Sequence, residues 1–437
     1  MFNDKLFMNT SLIYNSYNFE IGVEQEDFEF KLFSGIKDFN VKIDLDYYPS
    51  VRHSIKFGTN YIFHTFIPDN VSGSSNDVIF NQEEDLKRFA HEAAVYVLDD
   101  FDVTPKLKIN AGLRLSYFSQ VGPFTEYLYD FQGKVNDSVV YKLGENVVDY
   151  TGLEPRLSLR YKIDKFSSVK ASYTVSNQYV HMVSNAGTTL PTDLWVGSSK
   201  NVKPQIGTQY AIGYFRNFRK NTYESSLEFY YKDLQNQLEF RDGYVPDLST
   251  DIEKEFVFGK GWSYGMEVFF KRRRGKLNGW IGYTLSRTMR QFEDLNDGKA
   301  YPYRYDRTHD FSIVAMYKLN DKWTVSSTWI YGTGIAFTVP IGVYFIEGNL
   351  TSEYIDRNSY RLVPYHRGDI SATYKPKTKR RWKSSWVFSV YNVYNRHNPY
   401  FVYFDVEGDI LSGDLQVKAK QVSLFPIIPS ITYNFNF

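Results

Sequence analysis

The chain contains no cysteine in its 437 residues. Disulfides, thiolate metal sites and thiol nucleophiles are therefore excluded. Long apolar runs are missing as well: no stretch approaches the ~18 residues of a membrane-spanning helix. There is no excess of one charge. Lys and Arg number 51 against 50 Asp and Glu, for a formal charge of +1. Nucleic-acid binders carry a clear basic surplus, so DNA and RNA are poor candidate partners. Histidine is scarce. The seven present show no H-E-x-x-H or other ligand spacing, so no metal or other cofactor is expected. The opening MFNDKLFMNTSLIYNS has no charged n-region, apolar h-region or small-residue cleavage site. It does not read as a signal peptide.

Aromatic residues are abundant instead. Tyr numbers 37 and Phe 35, and aromatics make up 18% of the chain. These side chains favour strands, and outer-membrane barrels carry aromatic girdles at both interfaces.

Hydrophobicity alternates with period two nearly everywhere. In LKINAGLRLSYF, Leu107, Ile109, Ala111, Leu113, Leu115 and Tyr117 face one way. Lys108, Asn110, Gly112, Arg114 and Ser116 face the other. EPRLSLRYKID and SVKASYTVS repeat the pattern. Each is a strand with one apolar and one polar face. NQEEDLKRFAHEAAVYVLDD mixes helical spacing with a cap-like start. It reads best as a strand from about Phe89, because a buried helix would interrupt the ladder.

Connections alternate between short turns, such as YPSV, TPK and DKFS, and long polar segments, such as 119–153 and 184–204. Strict short–long alternation means up-and-down antiparallel strands with all long loops at one end. Membrane barrels have this asymmetry, with short periplasmic turns and long extracellular loops. About sixteen strands are expected, including 205–218, 277–292, 382–407 and 415–437. The fold class is all-β: a transmembrane antiparallel barrel in one domain over 1–437. Both termini fall on the periplasmic side. In the closing SITYNFNF, Ile431, Tyr433, Phe435 and Phe437 would face lipid and take part in closure.

No constellation supports an enzyme. RYDRTHD gathers Arg304, Asp306, Arg307, His309 and Asp310. It has no placed nucleophile, so an ordered polar cluster is expected where a loop re-enters the barrel. KTKRRWK suggests cations meeting lipid headgroups, with Trp382 as an interfacial anchor. HRGD (366–369) contains an adhesion-like tripeptide, but chance occurrence is the better reading. Trp195, in a Gly/Ser/Thr-rich loop, is a candidate to stack on a ligand or to pack a loop core.

Three stretches carry a family likeness: YPYRYDRTHDFSIVAMYKLNDKWTVSSTWIYGTG (301–334), WVFSVYNVYNRHNPYFVYF (386–404) and PSITYNFNF. They resemble the C-terminal barrel of TonB-dependent outer-membrane receptors, most closely the Bacteroidetes-like type. VYNVYNRHNPY is the most specific segment. GLRLSYF and EPRLSLRYKIDKFSSVKASYTVSNQY extend the likeness over nearly the whole chain. The resemblance implies a cell-outer-membrane location and a larger barrel of about 22 strands with a plugged lumen. It implies uptake of a scarce extracellular ligand: an iron chelate, cobalamin, a glycan or a peptide fragment. It also implies a plug domain, the TonB–ExbB–ExbD complex, outer-membrane lipids and the outer-membrane assembly machinery as partners. Plug, TonB-interacting segment and about six strands are expected to lie outside this stretch. Two other readings are a passive porin-like pore and a surface adhesive barrel.

Overall fold

The computed structural model describes residues 3–25, 28–75, 78–81, 87–130, 135–183, 194–242, 252–346, 349–354, 356–377, 383–407 and 416–436. Sixteen strands follow one another in a single antiparallel sheet. They are β1 (Leu6–Gln25), β2 (Phe28–Ser50), β3 (His53–Ser75) and β4 (Arg88–Asp102). Next come β5 (Leu107–Val121), β6 (Asn146–Lys162), β7 (Ser167–Gln178) and β8 (Gln205–Phe218). Then come β9 (Tyr223–Phe240), β10 (Phe256–Arg272), β11 (Leu277–Phe292) and β12 (His309–Lys318). The last are β13 (Trp323–Gly332), β14 (Tyr365–Tyr374), β15 (Lys383–Tyr391) and β16 (Ile428–Asn436). Each strand pairs with its neighbour in sequence.

Register keeps like faces together. Leu12, Val41, Tyr61, Ala93 and Tyr117 form one row across β1 to β5, and Tyr210, Tyr231 and Tyr264 form another across β8 to β10. Leu12, Val41, Tyr61, Tyr117 and all three of the second row are exposed. The opposite face carries the charged groups, such as Lys42, Asp44, Arg114 and Glu154. Cross-strand partners of matching character stabilise a sheet, and a one-residue slip would exchange the faces.

The short turns have local chemistry. Thr104 Oγ1 accepts from the Leu107 amide at 2.9 Å, Asp164 Oδ1 from the Ser167 amide at 2.9 Å, and Asn320 Oδ1 from the Trp323 amide at 3.0 Å. Side chains that bond backbone two or three residues on favour tight turns. These same bonds hold the exposed Asp164 carboxyl below its usual range, the Phe166 amide most strongly.

Two expected strands are shorter than the pattern suggests. The run read as 382–407 stops at Tyr391, and Pro399–Glu407 pairs instead with Gln416–Ser423 as a separate hairpin. Asn392 and Asn395 both sit at φ 52°, a left-handed conformation that breaks the ladder. The ambiguous segment is a strand from Arg88.

Apolar cores lie at the loop end of the sheet. One contains Ile36, Phe66, Ala90, Phe118 and Tyr179; a second contains Val183, Leu194, Val196, Val202, Leu238, Phe240 and Phe256; a third contains Phe292, Leu295 and Tyr301. Below them the concave face is polar. β16 pairs with β15, where Tyr433 sits 4.7 Å from the Trp386 ring. Among the described residues no pairing joins β16 to β1, and every residue of β16 is exposed.

Candidate ligand-binding site at the loop end

The described parts of the connection between β7 and β8, residues 179–183 and 194–204, fold inward over the concave face. Val180–Val183 and Leu194–Gly197 form a small hairpin within it. Trp195 reaches across to β1, where its ring meets Tyr17 edge-on at 6.2 Å. Gly197 lies against Phe66 of β3: a Cβ there would be 2.7 Å from the ring. Only glycine permits so close an approach.

The following residues tie three loops and strand β6 together. The Tyr150 hydroxyl donates to the Ser199 carbonyl at 2.7 Å, and Ser199 Oγ donates to Glu253 at 2.6 Å. Lys200 Nζ donates to Glu126 and to the Tyr141 hydroxyl, each at 2.7 Å. These two partners, Glu126 first, hold the Lys200 ammonium above its usual range. His181 is 1% exposed, with Nε2 3.0 Å from Ser198 Oγ. Burial pushes its imidazole down to about 4, because desolvation disfavours the charged form.

Beneath this roof lies a cavity of about 30 Å³ lined by Phe66, Arg88, Gln120, Trp195, Ser198 and Glu253, among others. That volume holds about one water. Gln120 is 4% exposed, and its Oε1 is buried with no hydrogen-bond partner among the described residues. A buried acceptor left open is costly unless something occupies it. The site therefore offers aromatic walls, an open amide oxygen and a guanidinium at one edge. Its floor is a polar belt across five strands: His64 bonds Asp38 at 2.8 Å and lies 3.5 Å from Glu92, Arg114 lies 3.6 Å from Glu92, and Ser116 donates to Glu154 at 2.9 Å.

A second junction organises the other side of the rim. Arg357 donates to Asp242 at 2.6 Å and to Glu239 at 3.2 Å, and Glu239 also pairs with Arg290. Arg290 lies 3.7 Å over the Tyr303 ring. Burial raises the Tyr303 hydroxyl above its usual range.

Within RYDRTHD, Arg307 and Asp310 pair with each other, while Asp306 and His309 take partners from other segments. Asp306 is 1% exposed and accepts from the Thr288 amide at 2.5 Å and from Arg361. Its partners come from elsewhere in the chain. Arg307 meets Asp310 at 3.6 Å, Arg304 lies 5.8 Å over Tyr305, and His309 Nδ1 meets the Tyr283 hydroxyl at 2.9 Å. Ile431, Tyr433 and Phe435 lie on the exposed apolar face. Trp382 and Phe437 fall outside the described residues. In HRGD, Arg367 and Asp369 pair with each other at 3.0 Å on the concave side of β14.

The VYNVYNRHNPY segment is a backbone knot. The Asn392 amide donates to Asp369 at 2.9 Å, and Asn392 Nδ2 donates to the Arg396 and Phe425 carbonyls at 2.9 and 3.2 Å. Asn398 exchanges bonds of 3.1 and 3.0 Å with the His366 backbone. Its specificity as a sequence signature follows from side chains that replace missing ladder bonds.

Arg88, Gln120 and Glu253 were not singled out from the sequence. A signal was present. Phe66 and Phe118 are apolar residues on otherwise polar strand faces, at the loop ends where a lid would rest.

Sixteen ordered up-and-down strands with an apolar exposed face, tight turns at one end and interlocked loops at the other define a membrane-type β-barrel. The TonB dependent receptor-like beta-barrel family matches residues 3–395, and the chain belongs to that family. Solved structures share the fold. The ferric yersiniabactin uptake receptor FyuA from Yersinia pestis is 12% identical with a TM-score of 0.63, covering 100% of this chain and 60% of its own. The siderophore receptor PiuA from Acinetobacter baumannii is 13% identical with a TM-score of 0.62, covering 99% and 62%. The ferripyoverdine receptor of the outer membrane of Pseudomonas aeruginosa is 15% identical with a TM-score of 0.55, covering 98% and 53%. The chain thus spans less than two thirds of each of these proteins. No curated protein sequence matches it.

Proposed function

We propose that this chain forms the wall of an outer-membrane receptor that takes up a ferric chelate by a TonB-dependent route. The iron complex is cargo, not a resident cofactor. The carrying observation is the convergence of three loops over the concave face around the Trp195 cavity. Such a roof favours capture of a ligand over free passage, which weighs against the porin-like pore. The inward pairing of Arg367 with Asp369 weighs against adhesion through HRGD. The structurally similar proteins include a ferric yersiniabactin uptake receptor and a receptor bound to ferripyoverdine, and this supports an iron chelate over cobalamin, a glycan or a peptide. Family membership supports a plug domain, the TonB–ExbB–ExbD complex and the assembly machinery as partners of the whole receptor. Closure of the wall, with Ile431, Tyr433 and Phe435 turned to lipid, belongs to the same proposal.

In this reading the roof opens to admit the chelate, since the closed cavity holds only about one water; Trp195 then stacks on the ligand while Gln120 and Arg88 receive its polar edge. The test is uptake of radiolabelled ferric citrate, hydroxamate and catecholate chelates by cells expressing the receptor, with and without TonB. Uptake of at least one chelate is expected to require TonB, and Trp195→Ala is expected to lower it about tenfold, a loss typical of a stacked aromatic anchor. Size-limited permeation that ignores TonB would instead support the pore.

A further inference from the structure

Three histidines stand at the same place in the architecture. His91, His309 and His366 lie at the loop-side starts of the descending strands β4, β12 and β14, all on the apolar face. Each has Nδ1 on a tyrosine hydroxyl: Tyr61 at 2.7 Å, Tyr283 at 2.9 Å and Tyr394 at 3.0 Å. The first two share one diagonal geometry. His91 opposes Phe63 and bonds the tyrosine two residues before it, and His309 opposes Leu285 and does the same.

Register places them at a boundary. His91 is in row with Tyr14, Phe39 and Phe63, and the next row outward is Ser16, Lys37, Thr65 and Phe89. His366 is in row with Tyr283, Phe311 and Tyr331, and His309 is two residues further out than Phe311. This is where the aromatic girdle gives way to polar side chains, the depth of the outer headgroups.

Chemistry sets what the rings present there. A tyrosine hydroxyl that donates its proton to Nδ1 holds the imidazole as the Nε2–H tautomer. Among the described residues, none of the three Nε2 atoms has a protein partner. A fixed donor at the headgroup plane fits a phosphoryl oxygen, the strongest acceptor at that depth.

We propose that these three tyrosine–histidine pairs are binding sites for phosphate-bearing lipid headgroups of the outer leaflet. The proposal rests on the membrane-barrel reading. It is tested by native mass spectrometry of the full folded chain in detergent, titrated with phosphatidylglycerol or with digalactosyl diacylglycerol. Up to three phosphatidylglycerols are expected to be retained, each roughly tenfold more tightly than the galactolipid, the effect of one hydrogen bond to a charged group. The triple variant His91→Phe, His309→Phe, His366→Phe is expected to lose that preference while keeping the heat-modifiable mobility of a folded barrel. Tyr61→Phe and Tyr283→Phe are expected to weaken two sites and to shift the imidazole ¹⁵N signals toward mixed tautomers. Displacement by inorganic phosphate would assign the sites to phosphate in general, and its failure to displace would assign them to the lipid. Equal retention by wild type and triple variant overturns the proposal. A wild-type chain that does not fold in detergent or lipid overturns the membrane reading together with it.

Discussion

Acidification is expected to open the hairpin that roofs the Trp195 cavity. His181 is fully enclosed between Val180 and Met182 in that hairpin, with Nε2 on Ser198. With the hairpin closed its imidazole titrates at about 4, against 6.5 for an ordinary histidine. An opened hairpin returns it to water and to the ordinary value. The closed form therefore keeps its full stability above pH 6.5. Stability falls as pH drops through the interval from 6.5 to about 4, where only the open form gains a proton. The whole interval is worth about 3 kcal/mol at 1.4 kcal/mol per pH unit. That raises the opening equilibrium roughly hundredfold. Amide hydrogen exchange of residues 194–202, corrected for its intrinsic pH dependence, reads this directly. His181→Phe keeps the ring buried and removes the proton site, so its protection should change far less with pH. Protection that is flat between pH 7.5 and 4.5, or that falls equally in His181→Phe, would refute the reasoning.

Gly197→Ala brings a methyl within 2.7 Å of the Phe66 ring and is expected to destabilise the roof by about 1–3 kcal/mol; Phe66→Leu should restore much of the exchange protection lost from residues 194–202. Asn392→Ala removes three side-chain bonds and leaves alanine at φ 52°, which should lower stability in a detergent-based urea titration by about 3 kcal/mol. Asn392→Gly keeps the permissive backbone and should cost clearly less.

Much of the fold was legible because a two-sided strand writes its environment into alternate residues. β8 and β11 have the bounds that pattern assigns, and the asymmetry of connections located the loop end. β15 was overextended because VYNVYNRHNPY keeps an aromatic rhythm through its turn. The break comes from left-handed Asn392 and Asn395, and asparagine tolerates that conformation without changing the hydrophobic count. The site was barely legible. Trp195 stood out as a lone loop aromatic, but Gln120, Arg88 and Glu253 meet it only through long-range folding. RYDRTHD looked self-contained in sequence. Its buried member, Asp306, is satisfied by Thr288 and Arg361, which proximity along the chain could not show.

The most direct test of the membrane barrel uses the absence of cysteine. Single cysteines at Gln209, Tyr210, Ala211 and Ile212 sample alternate faces of β8 without background. In the bare fold Tyr210 and Ile212 are 51% and 54% exposed, whereas Gln209 and Ala211 are half-buried on the concave side. A sheet in water would label fastest at positions 210 and 212. In lipid vesicles the account predicts the reverse with a membrane-impermeant maleimide: labelling at Gln209→Cys and Ala211→Cys, and protection at Tyr210→Cys and Ile212→Cys. Faster labelling at 210 and 212 in vesicles would contradict it.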